Sequence, residues 1–113
     1  MTNAVNAALS GLRARQTQVD VTARNVANAT TRGYKRLQAT LEEAPGGVKA
    51  RVERVEEPGP LAAEGSGAVV ELSNVDLSQE IPNLIVGERG FETNLKVLQT
   101  QDEMLGALLD IKR

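Results

Sequence analysis

The chain has 113 residues, a formal net charge of −2, no histidine and no cysteine. Its length fits at most one domain. The missing residue types exclude Cys–His and Ser–His nucleophiles, thiolate or imidazole zinc sites, and disulfides. Tyr34 and Phe91 are the only aromatic residues, so a ring-filled core is not expected, and stability should come largely from neighbouring subunits. The charge is unevenly divided: residues 1–36 carry six basic groups and one acid, and residues 37–113 carry seven basic groups and fourteen acids. These are either two solvated faces, or basic N-terminal segments that meet acidic C-terminal segments within or between chains.

In chain order, the first predicted element is an amphipathic helix from about Thr2 to about Asn28, with Thr2 or Asn3 as its cap. Apolar residues fall at Val5, Leu9, Leu12, Val19, Ala23 and Val26, with Gln16 as the polar interruption. Alternating steps of four and three are the a/d repeat of a coiled-coil seam. Asn25 and Asn28 then share a face just before the helix stops, and Gly33 is expected to take a left-handed conformation there. Tyr34 to Leu41 reads as extended, Pro45-Gly46-Gly47 as a turn, and Val48 to Val55 as a half-exposed strand. Pro58-Gly59-Pro60 and Gly65-Ser66-Gly67 break the chain again before a short strand at Ala68 to Leu72. The middle, residues 34–73, is therefore a small β/loop insert between a helix with its stop motif (1–33) and a second helix (74–113).

The second helix opens at Asp76, where Asp76 and Gln79 have capping-box spacing. Pro82 either kinks it or marks where its regular part begins, and Gly87 and Gly90 weaken it. Its seam runs through Ile81, Leu84, Phe91, Leu95, Leu98, Leu105 and Leu109, interrupted by Glu88 and Asp102. If the two helices pack within one chain they must run antiparallel, with the insert as a small β tip at one end. The expected fold is mainly α: an antiparallel coiled coil of long terminal helices with a β-hairpin insert.

Chemistry is sparse. The pairs Glu42-Glu43, Glu56-Glu57 and Asp102-Glu103 read as solvated charge, since adjacent residues do not share a helix face. The glycine-rich stretches have neither Walker nor GxGxxG spacing. Basic residues near the N-terminus have no nucleic-acid-binding motif around them. No catalytic residue, cofactor site or metal site is expected, nor nucleic acid as a partner. No run of eighteen apolar residues predicts a membrane span. The first residues lack the pattern of a cleaved secretory signal, which by itself reads as cytoplasmic and leaves room for export with an uncleaved N-terminus.

Asn25-Val-Ala-Asn28-Ala-Thr-Thr-Arg-Gly33-Tyr34-Lys35 resembles the helix-stop signature of the flagellar axial proteins, the rod, hook and hook-associated family. Ala8-Leu-Ser-Gly-Leu12 and Gln16-Thr-Gln-Val-Asp20 fit that family's first helix. Ser73-Asn74-Val-Asp76 followed by Glu80-Ile81, then Glu88-Arg-Gly-Phe-Glu-Thr-Asn94 and Lys96 to Leu105, resemble its last helix. The short middle, Gly47-Val-Lys-Ala-Arg-Val with Val55-Glu-Glu-Pro-Gly-Pro60, is most similar to the proximal rod proteins of the C type. It departs from them in lacking a long Asp/Gly-rich loop and in carrying Pro82 and Gly87.

The resemblance implies a non-enzymatic subunit of the bacterial flagellar basal-body rod. Such subunits leave through the flagellar type III export apparatus without signal cleavage. They polymerise helically with copies of themselves and with other rod proteins in the periplasmic rod, and transmit torque. On that reading Asn25, Asn28, Gly33, Tyr34, Asn74 and Asn94 are family-motif positions. The seam Val5, Leu9, Leu12, Val19, Val26, Leu84, Phe91, Leu95, Leu98, Leu105 and Leu109 serves assembly. The competing reading is a small soluble coiled-coil adaptor, which has no reason to carry the Asn25–Tyr34 segment.

Overall fold

In the computed structural model, which describes residues 2–111, two long helices frame two small antiparallel strand pairs. Helix α1 spans Thr2–Ala27, strands β1 and β2 span Leu37–Ala44 and Gly47–Arg54, β3 and β4 span Leu61–Ala63 and Val69–Glu71, and helix α2 spans Leu77–Ile111. The mainly α architecture with a β insert is the one the sequence predicts. The side chain of Thr2, one of the two caps expected for α1, lies outside the described residues. Asn3, the other, is already inside the helix.

The helices pack antiparallel: Asn25 near the end of α1 bonds Glu80 near the start of α2, and Gly11 lies against Asn94. Gly87 sits where α2 crosses Val19, and a Cβ there would come within 3.0 Å of Val19 Cγ2. Gly90 is likewise filled over by the Arg15 side chain. The two glycines that weaken α2 by propensity thus let the helix axes approach.

Strand β1 pairs with β2 in full register from Leu37↔Arg54 to Ala44↔Gly47, closed by Pro45-Gly46. Gly46 has φ of +82°, and proline followed by a positive-φ glycine suits a type II turn. The insert starts where α1 stops, as expected. The β1–β2 hairpin does not stay there as a tip, however; it folds back along α1. The Val48 N–H donates to Ser10 Oγ at 3.0 Å, and the Gly47 backbone packs against Ser10 and Ala7. The reason is the small-residue face of α1, which admits a strand pair on one side and α2 on the other. Its buried residues are Ala8, Ala14, Val21, Thr22 and Asn25. Among the described residues three buried apolar side chains make a small core, as the scarcity of rings requires.

The pair β3–β4 sits at the end where α1 stops and α2 starts. The Gly33 N–H donates to the Glu71 carbonyl at 2.9 Å. Only the second of these strands was legible in the sequence, because Leu61–Ala63 is three residues between proline and glycine. Helix α2, 35 residues, is about 52 Å long at 1.5 Å per residue. It begins at Leu77 and runs continuously through Pro82, which lies in its second turn and leaves the Ser78 carbonyl without its helical donor. Asp76 caps it differently from a capping box. Its Oδ1 accepts from the Ser78 N–H at 3.0 Å and the Ser78 hydroxyl at 2.6 Å, and its carbonyl accepts from the Gln79 and Glu80 N–H groups. The two Ser78 bonds to the carboxylate hold it below the usual carboxylate range, the hydroxyl contributing most.

Candidate assembly surface and helix-junction network

Asparagine matches both halves of a peptide group, so one buried asparagine can splice two backbone segments. Asn25, 1% exposed, does this at the junction of α1, β1 and α2. Its Oδ1 accepts from the Leu37 N–H at 2.9 Å and from the Tyr34 hydroxyl at 3.2 Å. Its Nδ2 donates to the Leu37 carbonyl at 2.7 Å and to Glu80 Oε1 at 3.1 Å. Every polar position of this side chain is used, which is the condition for burying it cheaply.

Asn74 performs the same operation on the other side of the insert. Its Oδ1 accepts from the Arg36 N–H at 2.6 Å, and its Nδ2 donates to the Val55 and Glu57 carbonyls, both at 2.9 Å. Asn28 acts within the stop itself: Nδ2 donates to the Arg24 carbonyl at 2.8 Å, and Oδ1 accepts from the Thr31 hydroxyl at 3.0 Å. Gly33 then takes φ of +70°, which reverses the chain. Lys35 pairs with Glu71, whose carboxylate also accepts from the Gly59 N–H at 3.0 Å. The Lys35 ammonium, followed by that N–H, lowers the Glu71 pKa.

Of the family-motif residues, five (Asn25, Asn28, Gly33, Tyr34 and Asn74) therefore fall in one region, while Asn94 lies far along α2 over Gly11. The roles of two further contributors were not read from the sequence. Glu80 is 3% exposed and bonds Asn25, whereas the sequence marked it only as part of a stretch resembling the family's last helix. Ser10, which accepts from β2 and donates to the Ala7 carbonyl at 2.7 Å, lies in the Ala8–Leu12 stretch that fits the family's first helix, but nothing in that stretch signals a bond to a strand.

The seam residues are not enclosed within one chain. Leu9, Leu12, Val19, Val26, Leu84, Phe91 and Leu98 are half-buried, and Val5, Leu95, Leu105 and Leu109 are exposed. An open groove between the helices is lined by apolar Val19, Phe91 and Leu95 and by acidic Asp20, Glu88 and Glu92. Ile81, Ile85, Val86 and Val97 add further apolar surface on α2. Exposed apolar side chains in this number along one helix are what an interaction surface requires. Among the described residues no group of His, Cys, Asp and Glu is arranged to hold a metal ion, and no helix is long and apolar enough to cross a membrane.

Long terminal helices, a narrow core and outward-facing apolar stripes define an elongated helical assembly unit. Residues 5–35 match the family model described as flagella basal body rod protein, and residues 66–111 match that of the flagellar basal body rod FlgEFG protein C-terminal region. The chain belongs to the flagellar basal-body rod and hook protein family. It is 50% identical over 48 residues to the flagellar hook protein FlgE of Helicobacter pylori, which takes in 42% of this chain and 7% of that protein. It is 45% identical over 53 residues to the flagellar basal-body rod protein FlgG of Bacillus subtilis, covering 43% of this chain and 20% of the relative. With FlgE of Salmonella typhimurium the identity is 37% over 59 residues, 46% of this chain and 15% of the relative. The chain thus spans about a fifth or less of the length of these relatives.

Proposed function

We propose that this chain is a non-enzymatic structural subunit of the bacterial flagellar basal-body rod, one rod-type unit that polymerises helically through its terminal helices and transmits torque. The observation that carries this reading is the exposed apolar stripe of α2, Leu95, Leu105 and Leu109, on a chain whose two ends both match the rod and hook family. Heterologous contacts that do not close generate a filament, and torque calls for extensive buried contact between subunits rather than a pocket.

The rod, rather than the hook, is favoured by the short middle, residues 34–73, whose sequence is most like that of the proximal rod proteins of the C type. Its partners on this reading are copies of itself, other rod proteins and the flagellar export apparatus, which passes it to the periplasmic rod without cleaving a signal. A tagged copy should co-purify with basal bodies and localise to the rod. Recovery of the tagged protein entirely in the cytoplasm, bound to a soluble partner, would replace this reading with the adaptor.

A further inference from the structure

Strand β1 has an edge that is only partly used. In an antiparallel pair every second residue turns its N–H and C=O away from the partner strand. The register of the hairpin, with Leu37 and Val48 both bonded outward to α1, fixes which residues these are. On β1 they are Leu37, Ala39, Leu41 and Glu43; on β2 they are Val48, Ala50, Val52 and Arg54. At Leu37 the Asn25 carboxamide donates to the C=O and accepts from the N–H, as the peptide group of a third strand would. The outward groups of Ala39, Leu41 and Glu43 have no such partner among the described residues. Strand β1 also carries neither proline nor lysine, the residues that blunt a free edge.

This edge opens on a polar cleft. No Cα of β1 lies within 8 Å of one in α2. At the junction a cavity of about 310 Å³ is lined by Gln18 of α1, Ala39 of β1 and Gln79, Glu80 and Asn83 of α2. Glu80 is 3% exposed, and the Asn25 amide is the one donor to its carboxylate among the described residues. Arg36 lines the cavity too but makes no ion pair with Glu80. A carboxylate accepts several hydrogen bonds, so this buried acceptor has capacity to spare. The carboxamides of Gln79 and Asn83 are without hydrogen bonds among the described residues as well. Open backbone groups and carboxamides recognise the same chemistry, a peptide group.

We propose that the cleft between β1 and α2 takes one extended segment of a different rod protein, paired with β1 as the third strand of its sheet. The inference rests on the subunit reading above and names one of its contacts. Backbone bonds to Ala39 and Leu41 hold the segment, and a donor on it meets the second oxygen of Glu80. A second copy of this chain is not the occupant. Among the described residues its extended stretches are already held within its own insert, in the two strand pairs or by Asn74. Its hairpin would bring α1 into the cleft along with the strands.

Proline tests the backbone directly, since at an outward position it removes only the N–H that faces away from the hairpin ladder. Tagged full-length chains carrying Ala39→Pro or Leu41→Pro should keep the wild-type circular dichroism and melting. They should enter basal bodies about tenfold less, equivalent to about 1.4 kcal/mol. Val52→Pro makes the same change on the opposite edge and should enter normally. Equal loss for Val52→Pro, or normal entry of Ala39→Pro, overturns the proposal. A second measurement leaves β1 untouched: a photo-reactive benzophenone side chain replaces Asn83, and cross-links formed in basal bodies are mapped by mass spectrometry. The expected product joins Asn83 to one short segment of a different rod protein, and Ala39→Pro in the same chain removes it. A product with a second copy of this chain, or one that survives Ala39→Pro, overturns the contact. A wild-type chain absent from basal bodies removes the subunit reading together with the contact. A chain present there without the cross-link removes the contact alone.

Discussion

Gly33 and Asn25 fix the turn out of α1 by different means, and their substitutions should separate accordingly. A Cβ on Gly33 would meet nothing within 4 Å, so the cost of Gly33→Val lies in its φ of +70°. That conformation disfavours a side chain by about 1–2 kcal/mol. Arg32 pairs with Glu64 on the surface, its side chain 64% exposed, and such pairs contribute at most about 1 kcal/mol. Denaturant unfolding and assembly assays should rank Gly33→Val as more damaging than Arg32→Ala; the reverse order would make the stop a charge-reading segment. Asn28→Leu should also impair assembly, because it frees the Arg24 carbonyl and the Thr31 hydroxyl. Asn25→Ala should cost more than any of these, about 3 kcal/mol or more, since it strands the buried Glu80 carboxylate and both backbone groups of Leu37. An Asn25→Ala protein within 1 kcal/mol of wild type would refute the keystone role.

Among the elements, α2 carries the sharpest contrast between propensity and packing. Gly106→Ala should stabilise it by up to about 1 kcal/mol, because a Cβ there meets nothing within 4 Å. Gly87→Leu gains the same propensity but drives a side chain into Val19, so the melting temperature should fall. A rise in both variants would mean that the helices do not cross at Gly87. Leu98→Asp puts a charge on the half-buried seam and should abolish incorporation into basal bodies while leaving expression intact. Normal incorporation would refute the heptad assignment.

The start of α2 and the end of strand β4 are also pH-sensitive. Asp76 and Glu71 both have pKa values lowered in the folded chain by the bonds their ionised forms accept. The unfolded chain therefore binds these protons more readily. The stability they contribute is present above the ordinary carboxylate pKa, about 4, and is lost as pH falls through the lower native values. Thermal melts of Asp76→Asn and Glu71→Gln should accordingly show a shallower loss on acidification than wild type.

For the whole molecule, the extents of 79 × 23 × 14 Å describe a rod thin enough to enclose only a small core. The buried apolar side chains among the described residues are Ala8, Ala14 and Val21. Such a chain depends on association for much of its order. In dilute monomer, residues 1–30 should exchange their amide hydrogens rapidly and gain protection on assembly. Full protection in a proven monomer would contradict this.

The sequence by itself determined the two terminal helices, the turn at Pro45-Gly46, the stop at Gly33 and the family likeness. These depend on neighbours in the chain: apolar spacing for a helix, a positive φ that glycine alone tolerates easily, and a short motif read in order. Tertiary structure decided the rest. Strand β3 exists because β4 pairs with it, not because Leu61–Ala63 has a strong pattern of its own. Periodicity marked the seam leucines and valines on α1, but the face buried inside the chain runs through Ala8, Ala14, Val21, Thr22 and Asn25. That face is chosen by where small residues let α2 and the β1–β2 hairpin approach together. The partnership of Asn25 with Glu80 joins residues 55 positions apart, and only the antiparallel return of α2 brings a buried carboxylate to an asparagine that needs it.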